Sequence, residues 1–389
     1  MRSITILVLL IAFADAASAQ TWYKGNLHTH SYWSDGDEFP EPVMDWYKSN
    51  GYQLVGLSDH NTLATGEKWK KIPRSKLYQD SFDRYLAKFG SDWVVYKIDS
   101  GRTIVKLKTL AEYRPLFEDR NFLIIQSEEI TSRFENNPIH MNATNVQSII
   151  GPQTGRSVTE VMQKTVDEVR KQREETGKPM IVHLNHPNFG YGVSAEDIIG
   201  LKGERFFEVY NGHPAVNNYG DSLHPGTEQM WDQINIAYVN RGQPLLYGLA
   251  TDDSHNYHQF GKTFSNSGRG WVMVSANALT PEALIEALEA GDFYASTGVT
   301  LDGVSFQGHT LDVRIKPEPG INYTIEFVGV REGEQTSSVL RKVGGIKANF
   351  KLTEKHVFVR ARIISSKKKE NPYQDGEFEM AWTQPVRVR

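Results

Sequence analysis

Short apolar runs alternate with segments of helical period through the first 300 residues, and this alternation restricts the fold more than any other feature. QLVGL (53–57), FLIIQ (122–126), MIVHL (180–184), FFEVY (206–210) and LLYGLA (245–250) have the length and composition of buried strands. Three amphipathic stretches lie around them. PEPVMDWYKSNG (40–51) stops at Gly51, and VTEVMQKTVDEVRKQREETGKP (158–179) carries Val158, Val161, Met162, Val166 and Val169 on one side before Gly177 and Pro179. LTPEALIEALEAGDF (279–293) has Thr280 as N-cap, Pro281 in the first turn and Gly291 past the end. Strands alternating with helices predict a parallel sheet or barrel.

The polar residues fall where such a fold would put a site. YKGNL runs into His28 and His30, and QLVGL into Asp59 and His60. FLIIQ leads to Glu128 and Glu129, with His140 a little later; MIVHL leads to His186, and LLYGLA to Asp252, Asp253 and His255. In (β/α) barrels the site lies at the C-terminal ends of the strands, so this placement predicts a metal centre there. In extended chain, residues two apart share a face, which lets His28 pair with His30 and Asp253 with His255. Asp252 then points away and orients a ligand or caps the loop. His183 and His186 lie an odd number apart, so at most one faces a metal. Spacing alone does not choose between Glu128 and Glu129.

The chain has no cysteine, so thiolate ligands and disulfides are excluded and any metal must be held by His, Asp and Glu. That donor set suits Zn²⁺, Mn²⁺ or Fe²⁺. A net charge of -4 over 389 residues makes no electrostatic case for nucleic acid. GxSxG, HExxH and GxGxxG signatures are absent, and FGKTF (260–264) lacks the first glycine of a phosphate loop. At the N-terminus Arg2, the apolar run Ile4 to Ala14 and Ala17-Ser18-Ala19 read as a secretory leader over 1–19, with a mature start near Gln20. Secretion or release into the periplasm is therefore expected, without a membrane anchor.

Residues 62–120 interrupt the alternation with an aromatic, lysine-rich insertion, in which EKWKKIPRSK carries five cations; it reads as a charged solvated face or a lid. From 301 to 389 the pattern becomes short β-rich runs separated by Gly, Pro and Asn, which predicts a small C-terminal β-sandwich. The expected organisation is thus a leader, an α/β domain carrying the metal centre over 20–300 and a β-rich domain over 301–389.

Eight motifs, LHTHSYWSDG, LSDHN, SEEIT, HMNATN, NHP, FEVYNG, ATDDSH and YASTG, occur in order between about residues 25 and 298. In them the chain resembles the polymerase-and-histidinol-phosphatase (PHP) superfamily of metal-dependent hydrolases, and within it the carbaryl-hydrolase-like branch. The resemblance implies an α/β fold, a distorted (β/α)₇ barrel holding two or three metals. By position, the first metal takes His28, His30, Glu129 and Asp253. Glu129 bridges to a second metal completed by His140 and His186, and a third site uses Asp35, His60 and His255. The family pattern favours Glu129 over Glu128 and His186 over His183.

Together these features point to an exported phosphoesterase acting on a small anionic or ester substrate, with a metal-bound hydroxide attacking phosphorus in line. Arg269 is a candidate clamp for phosphate oxygens. His213 or His258 is a candidate donor of the proton to the leaving oxygen. Glu208 and Asn211, with His213, are expected to line the pocket. A carbamate, ester or amide hydrolase on the same residues is the enzymatic alternative, and a non-catalytic metal- or glycan-binding protein is the alternative from another class.

Overall fold

The computed structural model describes residues 21–388; the predicted leader lies outside them. The chain opens with β1 (Thr21–Asn26), α1 (Pro40–Ser49) and β2 (Leu54–Leu57). The inserted block follows as β3 (Trp69–Lys71), α2 (Lys76–Phe89), β4 (Tyr96–Asp99), β5 (Arg102–Lys106) and α3 (Leu110–Phe117). Then come β6 (Leu123–Phe134), β7 (Asn137–Thr144), α4 (Val158–Thr176), β8 (Ile181–Leu184), α5 (Ala195–Ile199), β9 (Phe206–Asn211), α6 (Thr227–Asn240) and β10 (Tyr247–Thr251). β11 (Trp271–Ala276), α7 (Pro281–Ala290) and β12 (Phe293–Ser296) lead into the β-rich end. That end holds β13 (Leu301–Gln307), β14 (Thr310–Ile315), β15 (Tyr323–Arg331), β16 (Ser338–Gly344), β17 (Lys347–Lys351), β18 (His356–Lys368) and β19 (Phe378–Thr383).

Local chemistry accounts for the helix limits. In α4 the Ser157 hydroxyl accepts from Glu160 N, the five predicted apolar residues are buried, and Gly177 at φ 65° ends the helix in the left-handed conformation. In α7, Thr280 accepts from Ala283 N, and Gly291 takes φ 80°. The predicted stop signals act at their first member: α4 ends at Thr176, before the glycine rather than at Pro179.

The main sheet contains 13 strands, and its first seven run β10-β9-β8-β7-β6-β2-β1. β1, β2 and β6 are parallel, as are β8, β9 and β10, while β7 runs against both neighbours. A parallel bridge between Thr29 and Ser254 joins the segments following β1 and β10, the two ends of this run. It is reinforced by His30 N to Ser254 O at 3.0 Å and Asp253 N to His28 O at 3.1 Å. The residues after three strand ends are thereby drawn into one place, since His60 also bridges to Glu129.

β1 pairs on its other side with β11, and the sheet continues β12-β19-β18-β15-β16. β13, β14 and β17 form a separate sheet. Leu311, Val313 and Ile315 of that sheet share an apolar cluster with Ile325, Phe327, Val359 and Ile363. The β-rich end is therefore two facing sheets, one of which is continuous with the main sheet through Ala295 opposite Trp382. The insertion builds a three-stranded sheet, β3-β5-β4. Its Phe82, Tyr85, Val105, Leu107 and Tyr113 pack with Tyr32, Trp33, Phe39 and Met44, so it docks on α1 and on the loop after His30.

Candidate metal centre

β6 and β7 form a hairpin in which Glu129 faces Asn142 and Thr131 faces His140. Glu129 and His140 are thus diagonal neighbours on one face, within reach of each other's side chains. The hairpin register that makes His140 a neighbour of Glu129 was not legible in the sequence.

All nine predicted ligands lie in one cluster, and Glu129, fully buried, is at its centre. Its Oε2 lies 3.3 Å from His28 Nε2, 3.1 Å from His30 Nε2 and 3.0 Å from His60 Nδ1. Its Oε1 lies 3.0 Å from His140 Nδ1 and 3.5 Å from His186 Nε2, and accepts from Asn185 Nδ2 at 2.8 Å. Asp253 Oδ1 stands 3.2 Å from His28 Nε2 and 3.3 Å from His30 Nε2, while its Oδ2 is 3.7 Å from His186 Nε2. Asp35 approaches His255 Nε2 at 3.4 Å and His60 Nε2 at 3.6 Å. His60 thus faces Glu129 with one nitrogen and Asp35 with the other.

These spacings fit a metal better than they fit hydrogen bonds. His28 Nε2, His30 Nε2 and Glu129 Oε2 are buried and have no hydrogen-bond partner. Donor atoms about 2.0–2.1 Å from a common tetrahedral centre lie about 3.3 Å from one another. The four edges that His28 and His30 make with Glu129 and Asp253 measure 3.1 to 3.3 Å. The donor set, imidazole and carboxylate only, suits a divalent transition metal.

The surroundings orient the ligands. His28 Nδ1 meets Glu208 Oε1 at 2.7 Å, which leaves Nε2 facing the cluster. Glu208 is itself held by Thr251 Oγ1, His186 N and Asn211 Nδ2, each at 2.8 Å. His255 Nδ1 contacts Asp253 O at 2.9 Å, turning Nε2 to Asp35. Two of the candidate ligands occupy left-handed backbone that non-glycine residues rarely adopt, His186 at φ 21° and Asp253 at φ 50°; such conformations cost on the order of 1–3 kcal/mol each and concentrate at functional sites. Gly36 has the opposite role: a Cβ there would sit 2.7 Å from His30 C, so only glycine lets the loop carrying Asp35 fold back onto His30.

Charge is balanced within the cluster. Burial alone would push the His28, His60 and His255 imidazoles down, yet the carboxylates around them hold all three up, His60 at about 9. Burial would raise the carboxyls of Glu129, Asp253 and Asp35, but the imidazoles hold all three below the usual range. A metal entering at neutral pH must therefore displace protons.

The remaining candidates separate clearly. Glu128 turns away and accepts from Ile150 N at 2.7 Å and Gly151 N at 2.9 Å. His183 is buried 3.4 Å from Glu208, behind His28. Asp252 accepts from Arg269 N, Gly270 N and the Tyr47 hydroxyl, capping the loop. Asp59 spends its oxygens on Ser31 and Ser34, fixing the segment between His30 and Asp35.

Three predicted roles need correction. Arg269 is buried, and all five of its guanidinium N–H groups are taken, by Gly212 O, Phe264 O, Gly261 O, Asn371 O and Asn371 Oδ1. It clips loops together and has no donor left for a substrate anion. His258 lies against Asp37 O at 2.8 Å and the Tyr78 ring; its ring contacts place it with the insertion, among none of the ligands. His213 does lie by the site, its ring 5.6 Å from that of His255. Burial, with the neighbouring histidines, lowers it to about 4, so at neutral pH it is no source of a proton. Its Nδ1 accepts from Ala215 N, which leaves the ring proton on Nε2 as a hydrogen-bond donor. Asn185 and Thr131, which steady Glu129 and His60, were not singled out from the sequence; only the adjacency of Asn185 to His186 hints at the first.

No family model matches the sequence, and no curated protein matches it. Among solved structures, the chain is similar to a two-domain protein from Bacteroides vulgatus containing a predicted PHP-like metal-dependent phosphoesterase. The identity is 16%, covering 94% of this chain and 95% of that one, with a TM-score of 0.43. It is also similar to an amidohydrolase from Chromobacterium violaceum, at 13% identity, covering 60% of this chain and 87% of that one, with a TM-score of 0.30. Likeness at this level carries no weight for activity, which must be read from the side chains. A buried carboxylate between five imidazoles, with two further carboxylates beside it, is a donor set suited to divalent metal.

Proposed function

We propose that this chain is a metal-dependent phosphoesterase of the PHP type, holding two or three divalent transition metals. The observation that carries the reading is the donor spacing around Glu129: its buried Oε2 and the His28 and His30 Nε2 atoms 3.1 to 3.3 Å away have no hydrogen-bond partner, while His140 and His186 gather on Oε1. In this reading the seven-strand run, joined at its ends by Thr29 and Ser254, acts as a closed barrel with the metals at its C-terminal rim. His28, His30, Glu129 and Asp253 would hold a first ion, Glu129 with His140 and His186 a second, and Asp35, His60 and His255 a third. Such ions, when bound, supply Lewis acidity and water ionised near neutral pH.

The protein's own groups do the rest. Glu208 and Asn185 keep the ligands in place, so that little reorganisation accompanies reaction. His213 donates a hydrogen bond from Nε2 towards the substrate. The Phe189 ring, 5.2 Å from His186 and 6.1 Å from His213, forms an apolar wall that limits water at one side of the cleft. No side chain is positioned as a nucleophile in this scheme, so no covalent ester forms.

The protein is further proposed to be exported after loss of residues 1–19, on the strength of the leader pattern, with 20–300 as the hydrolase domain and 301–389 as its β-rich companion. The test is turnover of an aryl phosphate, an aryl phosphodiester and a neutral aryl ester or carbamate by metal-loaded protein. The expected result is phosphate release that chelators abolish, with solvent oxygen in the product. Turnover confined to the neutral ester would replace this reading with a carbonyl hydrolase, and no turnover of any substrate would favour a binding protein.

A further inference from the structure

The lysine-rich stretch of the insertion contains two cations that differ from the rest. Lys71, Arg74 and Lys76 are exposed, and Lys76 pairs with Asp80. Lys68 and Lys70 are half-buried and, two residues apart in extended chain, lie on one face. Lys68 Nζ donates to Trp33 O and lies 5.6 Å from the Trp33 ring centroid. Lys70 Nζ donates to Ser34 O at 3.2 Å and lies 4.8 Å from the Tyr32 ring centroid. Each ammonium has three N–H donors and spends one on a carbonyl.

Neither lysine has a carboxylate partner among the described residues. The nearby Glu67 is taken by Lys106 at 3.1 Å. Like charges placed side by side and half out of water are unfavourable unless an anion comes between them: burial and then the Lys68 charge lower Lys70, partly offset by the charges of Asp59 and Asp35, neither of which reaches ion-pair distance. Both ammoniums are held against the loop that carries the candidate ligands. The Ser34 hydroxyl, on the residue whose carbonyl Lys70 holds, contacts Asp35 Oδ1 at 3.2 Å and His30 Nδ1 at 3.4 Å. Asp35 is the most open of the ligands, its side chain 58% exposed, so the cleft is entered on this side.

We infer that Lys68 and Lys70 form an anion-recognition edge beside the site, taking the non-bridging oxygens of a phosphoryl group whose other oxygens face the metal ligands. This rests on the phosphoesterase reading and deepens it. The insertion becomes the element that selects dianionic phosphate esters over neutral esters, and it does so by charge rather than by shape.

The test compares wild type, Lys68→Met/Lys70→Met, Lys70→Arg and, as an exposed control in the same strand, Lys71→Met, all metal-loaded. Inorganic phosphate binding is measured by calorimetry, and metal content by elemental analysis. The double variant is expected to bind phosphate at least tenfold more weakly with unchanged metal content, since charge-assisted hydrogen bonds to an anion are lost. Its KM for an aryl phosphate should rise in step, kcat should stay within about threefold, and KM for a neutral aryl ester should not move. Lys70→Arg should retain most of the affinity, and Lys71→Met all of it. Phosphate affinity within twofold of wild type in the double variant would overturn the inference. Loss of metal in that variant would also overturn it, because the lysines would then merely brace the loop. If the wild type proves to hydrolyse only neutral esters, the phosphoesterase reading fails, and the calorimetric arm still decides whether the lysines form an anion site.

Discussion

Replacing Glu129 by Gln keeps the volume of the side chain and removes one unit of charge from the middle of the cluster. The wild-type carboxylate offers Oε2 to His28, His30 and His60 and Oε1 to His140 and His186, so an ion on either side would share it. A unit charge about 4 Å from another, at an effective dielectric of about 20, is worth about 4 kcal/mol. Against a divalent ion the loss doubles to about 8 kcal/mol, which at about 1.4 kcal/mol per decade predicts affinity weaker by up to about six decades at both sites. Glu128→Gln is the matched control, because its oxygens serve only Ile150 N and Gly151 N. It should cost stability and no metal. Chelator-competition titration gives the affinities, and elemental analysis after exhaustive dialysis gives the stoichiometry. Full stoichiometry in Glu129→Gln with affinity inside tenfold of wild type would refute the shared-carboxylate geometry, as would equal losses in the two variants.

Two further outcomes follow from the charge balance and from Arg269. The folded values of His28, His60 and His255 lie above the unfolded value of 6.5. Their stabilisation is therefore complete below about pH 6.5 and lost as pH rises through the folded values, about 9 for His60. Between pH 6.5 and 9.5 the Tm of metal-free protein should fall relative to that of metal-loaded protein, which shares the titrations outside the cluster, so that the gap widens; a constant or narrowing gap would contradict the imidazolium–carboxylate balance. Arg269→Met leaves four buried or half-buried backbone carbonyls and Asn371 Oδ1 without their donor. It should lower stability by about 3 kcal/mol or more in denaturant titration and reduce turnover of charged and neutral substrates alike; a selective rise in KM for phosphate esters would restore the clamp.

The sequence by itself determined what short-range geometry controls. The limits of α4 and α7 follow from side-chain caps and glycines in contact with their own helix. The likeness of face between His28 and His30 follows from the two-residue repeat of extended chain, and the crowding of histidine and acid at strand ends marks where a site would form. The spacing argument for Asp252, pointing away from the cluster to cap its loop, agrees with its partners Arg269 N and Gly270 N.

Tertiary structure decided whatever depends on which distant group arrives first at a donor or acceptor. The choice between Glu128 and Glu129 turns on the β6–β7 register, set by pairing along the whole hairpin rather than by either residue. Arg269 and a substrate clamp look alike in sequence, since a guanidinium binds carbonyl and phosphate oxygens with the same fork; only the approach of Gly212, Gly261, Phe264 and Asn371 shows that its donors are spent. Conversely, Lys68 and Lys70 are two cations among five until the chain at β3 turns them, without a carboxylate ion-pair partner, towards the loop that holds Asp35. A residue's type and spacing state what it can bind, and the long-range packing of the chain settles which of those bonds are already made.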